Sequence, residues 1–130
     1  MSEDVIQIDL VMYEGTTFEK IFIWETGDPS EPVDLTGYKG ECHVREKLSD
    51  VEPVFILEQE EGIIILNQSV AKGGYKFYIP DSISQGKCPN HKDRRMRYDL
   101  RLISPDNSVR LHQYGKFLLK AAVTRPWEIQ

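Results

Sequence analysis

The sequence predicts an all-β fold, a single antiparallel β-sandwich of about seven to nine short strands, on three observations. Apolar and charged residues alternate from Arg95 to Leu102, with Met96, Tyr98, Leu100 and Leu102 on one face and Arg95, Arg97, Asp99 and Arg101 on the other. A period of two marks a strand buried on one side only. Clusters of Gly, Pro, Asp, Asn and Ser punctuate the chain at short intervals, as turns do, and no stretch carries a convincing helical period, which disfavours a βαβ arrangement.

Residues 5–13 open the domain, with Ile6, Ile8, Leu10 and Met12 on one face. A turn at Glu14-Gly15-Thr16 returns the chain into residues 17–24, where Phe18, Phe22 and Trp24 oppose Ile21 and Ile23. Apolar on both faces near its end, this segment predicts a central strand or one whose outer face a partner covers. Gly27, Pro29 and Pro32 make residues 25–33 a loop, and Asp34-Leu35-Thr36-Gly37-Tyr38 follows as a tight corner, with Gly37 free to take positive φ. Residues 39–46 form a strand with Cys42 and Val44 on one face, followed by a polar turn at 47–52. Residues 53–58 and 62–66 read as a hairpin around Gln59-Glu60-Glu61, and Ile63-Ile64-Ile65-Leu66 as a strand buried on both faces. After a connection at 67–74, residues 75–79 form a strand that Pro80 ends.

Residues 81–93 lack periodicity and read as a long loop insertion, with one helical turn at 81–85. The alternating strand then turns at Ser104-Pro105-Asp106-Asn107-Ser108 into a second strand that runs from Val109 through Val123, with at most a kink at Gly115. Residues 1–130 form one domain, and 124–130 a C-terminal tail. The expected core comprises Leu10, Phe18, Phe22, Ile64, Tyr98, Leu100, Leu102, Phe117 and Val123.

The chain is long enough to bury a core without staples, and its 40% hydrophobic and 28% charged residues are ordinary for a globular protein. No run approaches the ~18 apolar residues that span a membrane, and the acidic start Met1-Ser2-Glu3-Asp4 is no secretory signal. A net charge of −5 argues against nucleic acid as a partner. Two cysteines make no disulfide framework, and both are read as reduced thiols in a cytosolic environment. Cys42 reads as a small core residue; Cys88 precedes a proline in a loop, a place where a thiol is open to exposure.

Cys42-His43 and Cys88-Pro89-Asn90-His91 offer thiolate and imidazole groups, but neighbours on a strand point to opposite faces, so Cys42 and His43 cannot easily share a metal. The chain has no Gly-x-Ser-x-Gly elbow, phosphate-cradling loop or His-Glu-x-x-His motif. No metal, no cofactor and no catalytic site are expected. The basic run His91-Lys92-Asp93-Arg94-Arg95-Met96-Arg97 reads either as solvated charge or as a contact with an acidic surface of a neighbouring subunit, a role that suits the guanidinium fork. Trp127 and Ile129, past the last strand, either fold back on the domain edge or anchor another chain. The candidate partner-binding residues are therefore Arg94, Arg95, Arg97, Arg101, Trp127 and Ile129.

Several segments in chain order carry a resemblance: Tyr13-Glu14-Gly15-Thr16-Thr17-Phe18, the corner Pro32-Val33-Asp34-Leu35-Thr36-Gly37-Tyr38, the step Gly62-Ile63-Ile64, Tyr98-Asp99-Leu100-Arg101-Leu102, and Gly115-Lys116-Phe117 through Val123-Thr124-Arg125-Pro126. Together they resemble the small β-sandwich domains at the N-terminus of phage baseplate upper proteins and some tail-fibre proteins. The resemblance implies a virion structural role, in which other virion proteins are the partners and a symmetric homo-oligomeric assembly the setting, put together in the host cytoplasm. In fibre-type relatives a long distal region follows the domain; none follows Pro126 here, so the expectation is an adaptor between tail, baseplate, neck or fibre subunits. A capsid decoration or cement protein is the alternative. From another class, a carbohydrate-binding β-sandwich would need exposed aromatic rings in a row, for which Tyr13, Trp24, Tyr38, Tyr75, Tyr78 and Tyr114 are the candidates, most of them at turn or core positions.

Overall fold

A computed structural model describes residues 5–129; the acidic start at 1–4 and the last tail residue, Gln130, lie outside the described residues. The strands are β1 (Ile6–Gln7), β2 (Leu10–Tyr13), β3 (Phe18–Ile23), β4 (Glu25–Thr26), β5 (Glu31–Pro32), β6 (Lys39–Arg45), β7 (Phe55–Gln59), β8 (Gly62–Ile65), β9 (Gly74–Ile79), β10 (Arg94–Ile103) and β11 (Val109–Lys120). One short helix, α1 (Asp81–Ser84), and 3-10 turns at Pro89–His91 and Pro126–Glu128 complete the described chain. The fold is all-β, as the alternation and turn spacing predict.

A single curled sheet runs in the order β1–β11–β10–β6–β7–β8–β9–β3, with β2 also on β11, and β4–β5 form a separate ribbon. The sheet doubles over at β7. Phe55, Ile56 and Leu57 pair antiparallel with Val44, His43 and Cys42, whereas Glu58 and Gln59 pair parallel with Gly62 and Ile63. The two layers then face each other: the ring of Phe18 on β3 lies 5.6 Å from Phe117 on β11, and Phe77 on β9 lies 5.9 Å from Tyr98 on β10. Leu100, Leu102, Val44, Ile63 and Phe77 have no exposed surface between the layers.

Several expectations are corrected. Residues 53–58 and 62–66 make no hairpin, because positive φ at Glu60 (67°) and Gly62 (122°) sends β8 onward into the second layer instead of back along β7. The sheet is mixed rather than wholly antiparallel: β1 and β2 run parallel to β11 as two halves of one interrupted edge. At the interruption, Asp9 Oδ1 accepts the Lys116 N–H at 3.0 Å and the Ile8 N–H donates to the Tyr114 carbonyl at 2.9 Å. Gly115 is required by this close approach rather than by a kink, since a Cβ there would lie 2.2 Å from the Ile8 carbonyl oxygen.

β3 is an edge strand paired with β9 alone, not a central one; Ile21 is 59% exposed and Ile23 57%. Phe22 and Ile64 are half-buried, so β8 is not dry on both faces. Val123 is 93% exposed. The last strand stops at Lys120 because two carboxylates take the next backbone donors: Asp93 accepts the Ala121 N–H at 2.9 Å and Glu14 accepts the Ala122 N–H at 3.0 Å.

The β10–β11 hairpin forms as read, with one irregularity. Leu100 opposes Gln113 while Arg101 opposes Leu111, so His112 is the extra residue of a bulge. The bulge turns both His112 and Gln113 into the core and leaves Val109 and Leu111 outside. The insertion at 81–93 covers one end of the sandwich, with Ser84 and Cys88 buried; the loop position of Cys88 does not expose it.

Candidate functional site

Alternation on β10 sends Arg95, Arg97, Asp99 and Arg101 out of the first layer. Pairing then sets Arg97 directly opposite Arg45 of β6 on one side and Lys116 of β11 on the other. Three cations in one row across three strands weaken a sheet, because like charges directly opposed repel. The Arg45 guanidinium donates to the carbonyls of Asp50 and Val51 at 3.0 and 3.3 Å. Neither Arg97 nor Lys116 has an ion-pair partner among the described residues. Arg101, exposed, lies 3.9 Å from the half-buried Asp99. Shallow depressions flank the row, one of about 280 Å³ walled by Leu48, Leu111, Tyr114 and Asp99, the other of about 400 Å³ walled by Val11, Leu118, Asp9 and Glu46. The surface therefore has a cationic centre whose margins mix apolar side chains with the carboxylates of Asp9, Glu46 and Asp99.

Of the six predicted site residues, Arg95, Arg97 and Arg101 share this face. Arg94 does not: its Nε donates to Glu46 at 2.9 Å and a terminal nitrogen to the Lys87 carbonyl at 3.0 Å, tying the insertion to β6. Trp127 folds back on the turn after β2, where a Cβ on Gly15 would come within 2.3 Å of the indole. Gly15 at φ 77° thus serves both the turn and the ring seated on it. Glu128 holds the tail in place, accepting from Arg125 at 2.7 Å and lying 3.0 Å from His91 Nε2. These two partners hold its carboxyl below the ordinary carboxylate range. Ile129 stays exposed.

Sequence reading missed Glu14, which looks like an ordinary turn residue. It is buried: one oxygen accepts the Gly86 N–H and the other the Ala122 N–H, each at 3.0 Å, while Ser84 Oγ accepts the Gly15 N–H at 2.7 Å. One carboxylate thus joins the first turn, the insertion and the exit from β11. A polar chain also threads the core. Tyr75 donates to Gln113 Oε1 at 2.5 Å, Gln113 Nε2 to the Tyr98 hydroxyl at 2.9 Å, and Tyr98 to the Ile8 carbonyl at 2.6 Å. Beside it the His112 ring lies 4.6 Å from Trp24 with no hydrogen bond to either nitrogen among the described residues. Burial, then the charge of Arg110, lowers the His112 pKa to about 4.

The thiols are not poised for chemistry. Burial and then the charge of Glu14 push Cys88 up to about 11, and its Sγ faces the Leu119 carbonyl at 3.8 Å while His91 is engaged by Glu128. Burial raises Cys42 further. Among the described residues no group of three or more His, Cys, Asp and Glu is placed to hold a metal ion, and no helix is long and apolar enough to cross a membrane. A further depression, about 710 Å³ between the corner at Asp34 and the turn at Asn67, has several of its polar groups already engaged within the chain. Asp34 accepts from the Thr36 N–H at 3.0 Å, Asn67 from Ser69 at 3.0 Å and Gln59 from Gly40 at 3.2 Å. Of the six aromatic candidates for sugar stacking only Tyr13 and Tyr114 are exposed, and they stand apart, Tyr114 in the middle of β11 and Tyr13 opposite its last residue, Lys120.

No family model and no curated protein matches the chain. Among solved structures it is similar to a sialyltransferase from Photobacterium damsela, at 13% identity and TM-score 0.37, and to murine CRIg, at 9% identity and TM-score 0.37. The likeness to the sialyltransferase covers 92% of this chain but spans only 18% of that enzyme, and the likeness to CRIg covers 88% of this chain and 92% of that one.

Proposed function

We propose that this protein is a non-enzymatic structural component of a phage particle, an adaptor that joins tail, baseplate, neck or fibre subunits through protein–protein contacts. The observation that carries the reading is the row Arg45–Arg97–Lys116 with Arg95 and Arg101 beside it. A row of opposed cations weakens the isolated sheet, and an acidic surface laid on it removes that penalty while gaining charge-assisted hydrogen bonds. The cationic centre suits the carboxylate-bearing surface of a neighbouring subunit, and the net charge of −5 disfavours polyanionic nucleic acid as that partner. The motifs that resemble the phage domains supply the particle as the setting.

The test is to purify particles of the phage that encodes the protein and measure its copy number by quantitative mass spectrometry, with the natural chain and with Arg97→Glu. The expected result is stoichiometric presence of the natural chain and at least a tenfold loss in the variant. Absence from particles, or full occupancy by Arg97→Glu, overturns the reading.

A further inference from the structure

We propose that β3 is a dimerisation edge, at which two copies of this chain pair strand to strand about a two-fold axis. The backbone dictates the kind of occupant. The Trp24 N–H donates to the Gly73 carbonyl at 2.9 Å, continuing the register in which Phe22 opposes Tyr75 and Lys20 opposes Phe77. In an antiparallel ladder alternate residues bond to the neighbour and the rest point away. Phe18, Lys20 and Phe22 are therefore spent on β9, and the N–H and C=O groups of Glu19, Ile21 and Ile23 project from an open edge, where no strand or loop among the described residues meets them. Ile21 and Ile23, exposed on the outer side of the same strand, add apolar surface to that edge.

The occupant follows from self-complementarity. A two-fold contact brings the same patch against itself, so it needs matched donors and acceptors and no surplus charge at its centre. The β3 edge meets this condition: three donors, three acceptors and two isoleucines. The row of Arg45, Arg97 and Lys116 does not, since two copies would repel there. Natural edges are blunted by proline, bulges or charge. β3 has no proline and an uninterrupted register with β9, and Lys20 is its one cation. Setting Ile21 against the same residue of the second copy places each Lys20 across from Phe22 and offsets the two ammonium groups diagonally. A register centred on Lys20 would oppose them directly and is disfavoured. The outcome is a sheet continuous through both molecules, with the two basic faces left free.

Sedimentation velocity and amide hydrogen exchange over a concentration series test this on the purified chain. The expected result is a dimer at high concentration, insensitive to salt, with the amides of Glu19, Ile21 and Ile23 gaining at least about tenfold protection on association while those of Lys20 and Phe22 are protected throughout. Ile21→Pro removes an N–H that faces the open edge and Ile21→Lys adds like charges; both keep the circular dichroism spectrum and are monomeric, whereas Arg97→Glu still dimerises. A monomer at every concentration, a dimer that survives both Ile21 substitutions, or one that Arg97→Glu or salt dissolves overturns the proposal. None of these results bears on whether the basic face binds another subunit, which particle occupancy reads separately.

Discussion

Arg97 and Ile21 occupy comparable places, each in mid-strand and directed away from the core, yet they set opposite physical problems. Around Arg97 the backbone is fully paired between β6 and β11, and what lacks a counterpart is charge. Around Ile21 charge is nearly balanced, with Glu19 bridged to Lys76 at 3.1 Å, and what lacks a counterpart is backbone. The first problem is solved by any well-placed carboxylate and is screened by salt. The second is solved by an extended strand and is nearly indifferent to salt. One small sandwich thus presents two surfaces with different selection rules, and the interior between them is common to both.

If that division holds, substitutions between the layers govern stability and those on the outer faces govern association. The largest expected effects are in the shared interior: Phe77→Ala lowers unfolding free energy by about 3–5 kcal/mol and Leu100→Ala by about 2–5 kcal/mol, read by denaturant titration. A loss below about 1 kcal/mol for either would show that the two layers do not share one core.

Acid should unfold the same interior. The unfolded chain protonates His112 near 6.5, whereas the folded chain resists until about 4, so protons bind the unfolded state preferentially between these values. Stability is then full above about pH 6.5 and falls by up to about 3 kcal/mol as the pH drops toward 4. His112→Phe should flatten that slope, and a slope unchanged by the substitution would place its origin elsewhere. Smaller still, Tyr75→Phe removes the donor to Gln113 and should cost about 1–2 kcal/mol.

Outer-face changes should be smallest and differ in sign. Arg97→Gln relieves the opposed cations and should stabilise the isolated protein by about 0.2–1 kcal/mol at low salt, an increment that shrinks as salt is added. Val123→Ala should change stability by less than about 0.5 kcal/mol, as an exposed site does. A destabilising Arg97→Gln would mean that the cationic row already has a favourable role inside the monomer.

How far the sequence foretold these regions depends on whether the information was local. On β10 every alternate residue is where the pattern puts it: Met96, Tyr98, Leu100 and Leu102 inside, Arg95, Arg97 and Arg101 outside. Pattern reading fails on β11 at His112, because a bulge shifts the faces without any change in composition, and two polar residues then enter the core, of which Gln113 alone finds hydrogen-bond partners among the described residues, on β9 and β10. It fails at Val123 because the groups that end the strand, Asp93 and Glu14, come from distant turns. It leaves β3 open between a central strand and one covered by a partner, because apolar faces reveal burial by something, not strand order, and the structure rules out only the first. Trp127 was legible as a ring needing cover, but not that Gly15 leaves the space for it. In the candidate site, three arginines of one strand were readable from spacing alone; that Arg45 and Lys116 flank them requires the pairing of three strands.

The partnership of β1 and β2 with β11 has a consequence for how the molecule comes into being. These pairings join residues 6–13 to residues 113–120, and Glu14 reaches a backbone group 108 positions away. On the ribosome the opening segment therefore emerges without its ladder partner and stays so until β11 has left the exit tunnel. Leu10 and Met12 meanwhile belong to no folded core. Chains dominated by such remote pairings fold in milliseconds to seconds rather than microseconds, and leave unpaired strands open to other chains in that interval. The last strand to be made is the one that lets the first strand fold.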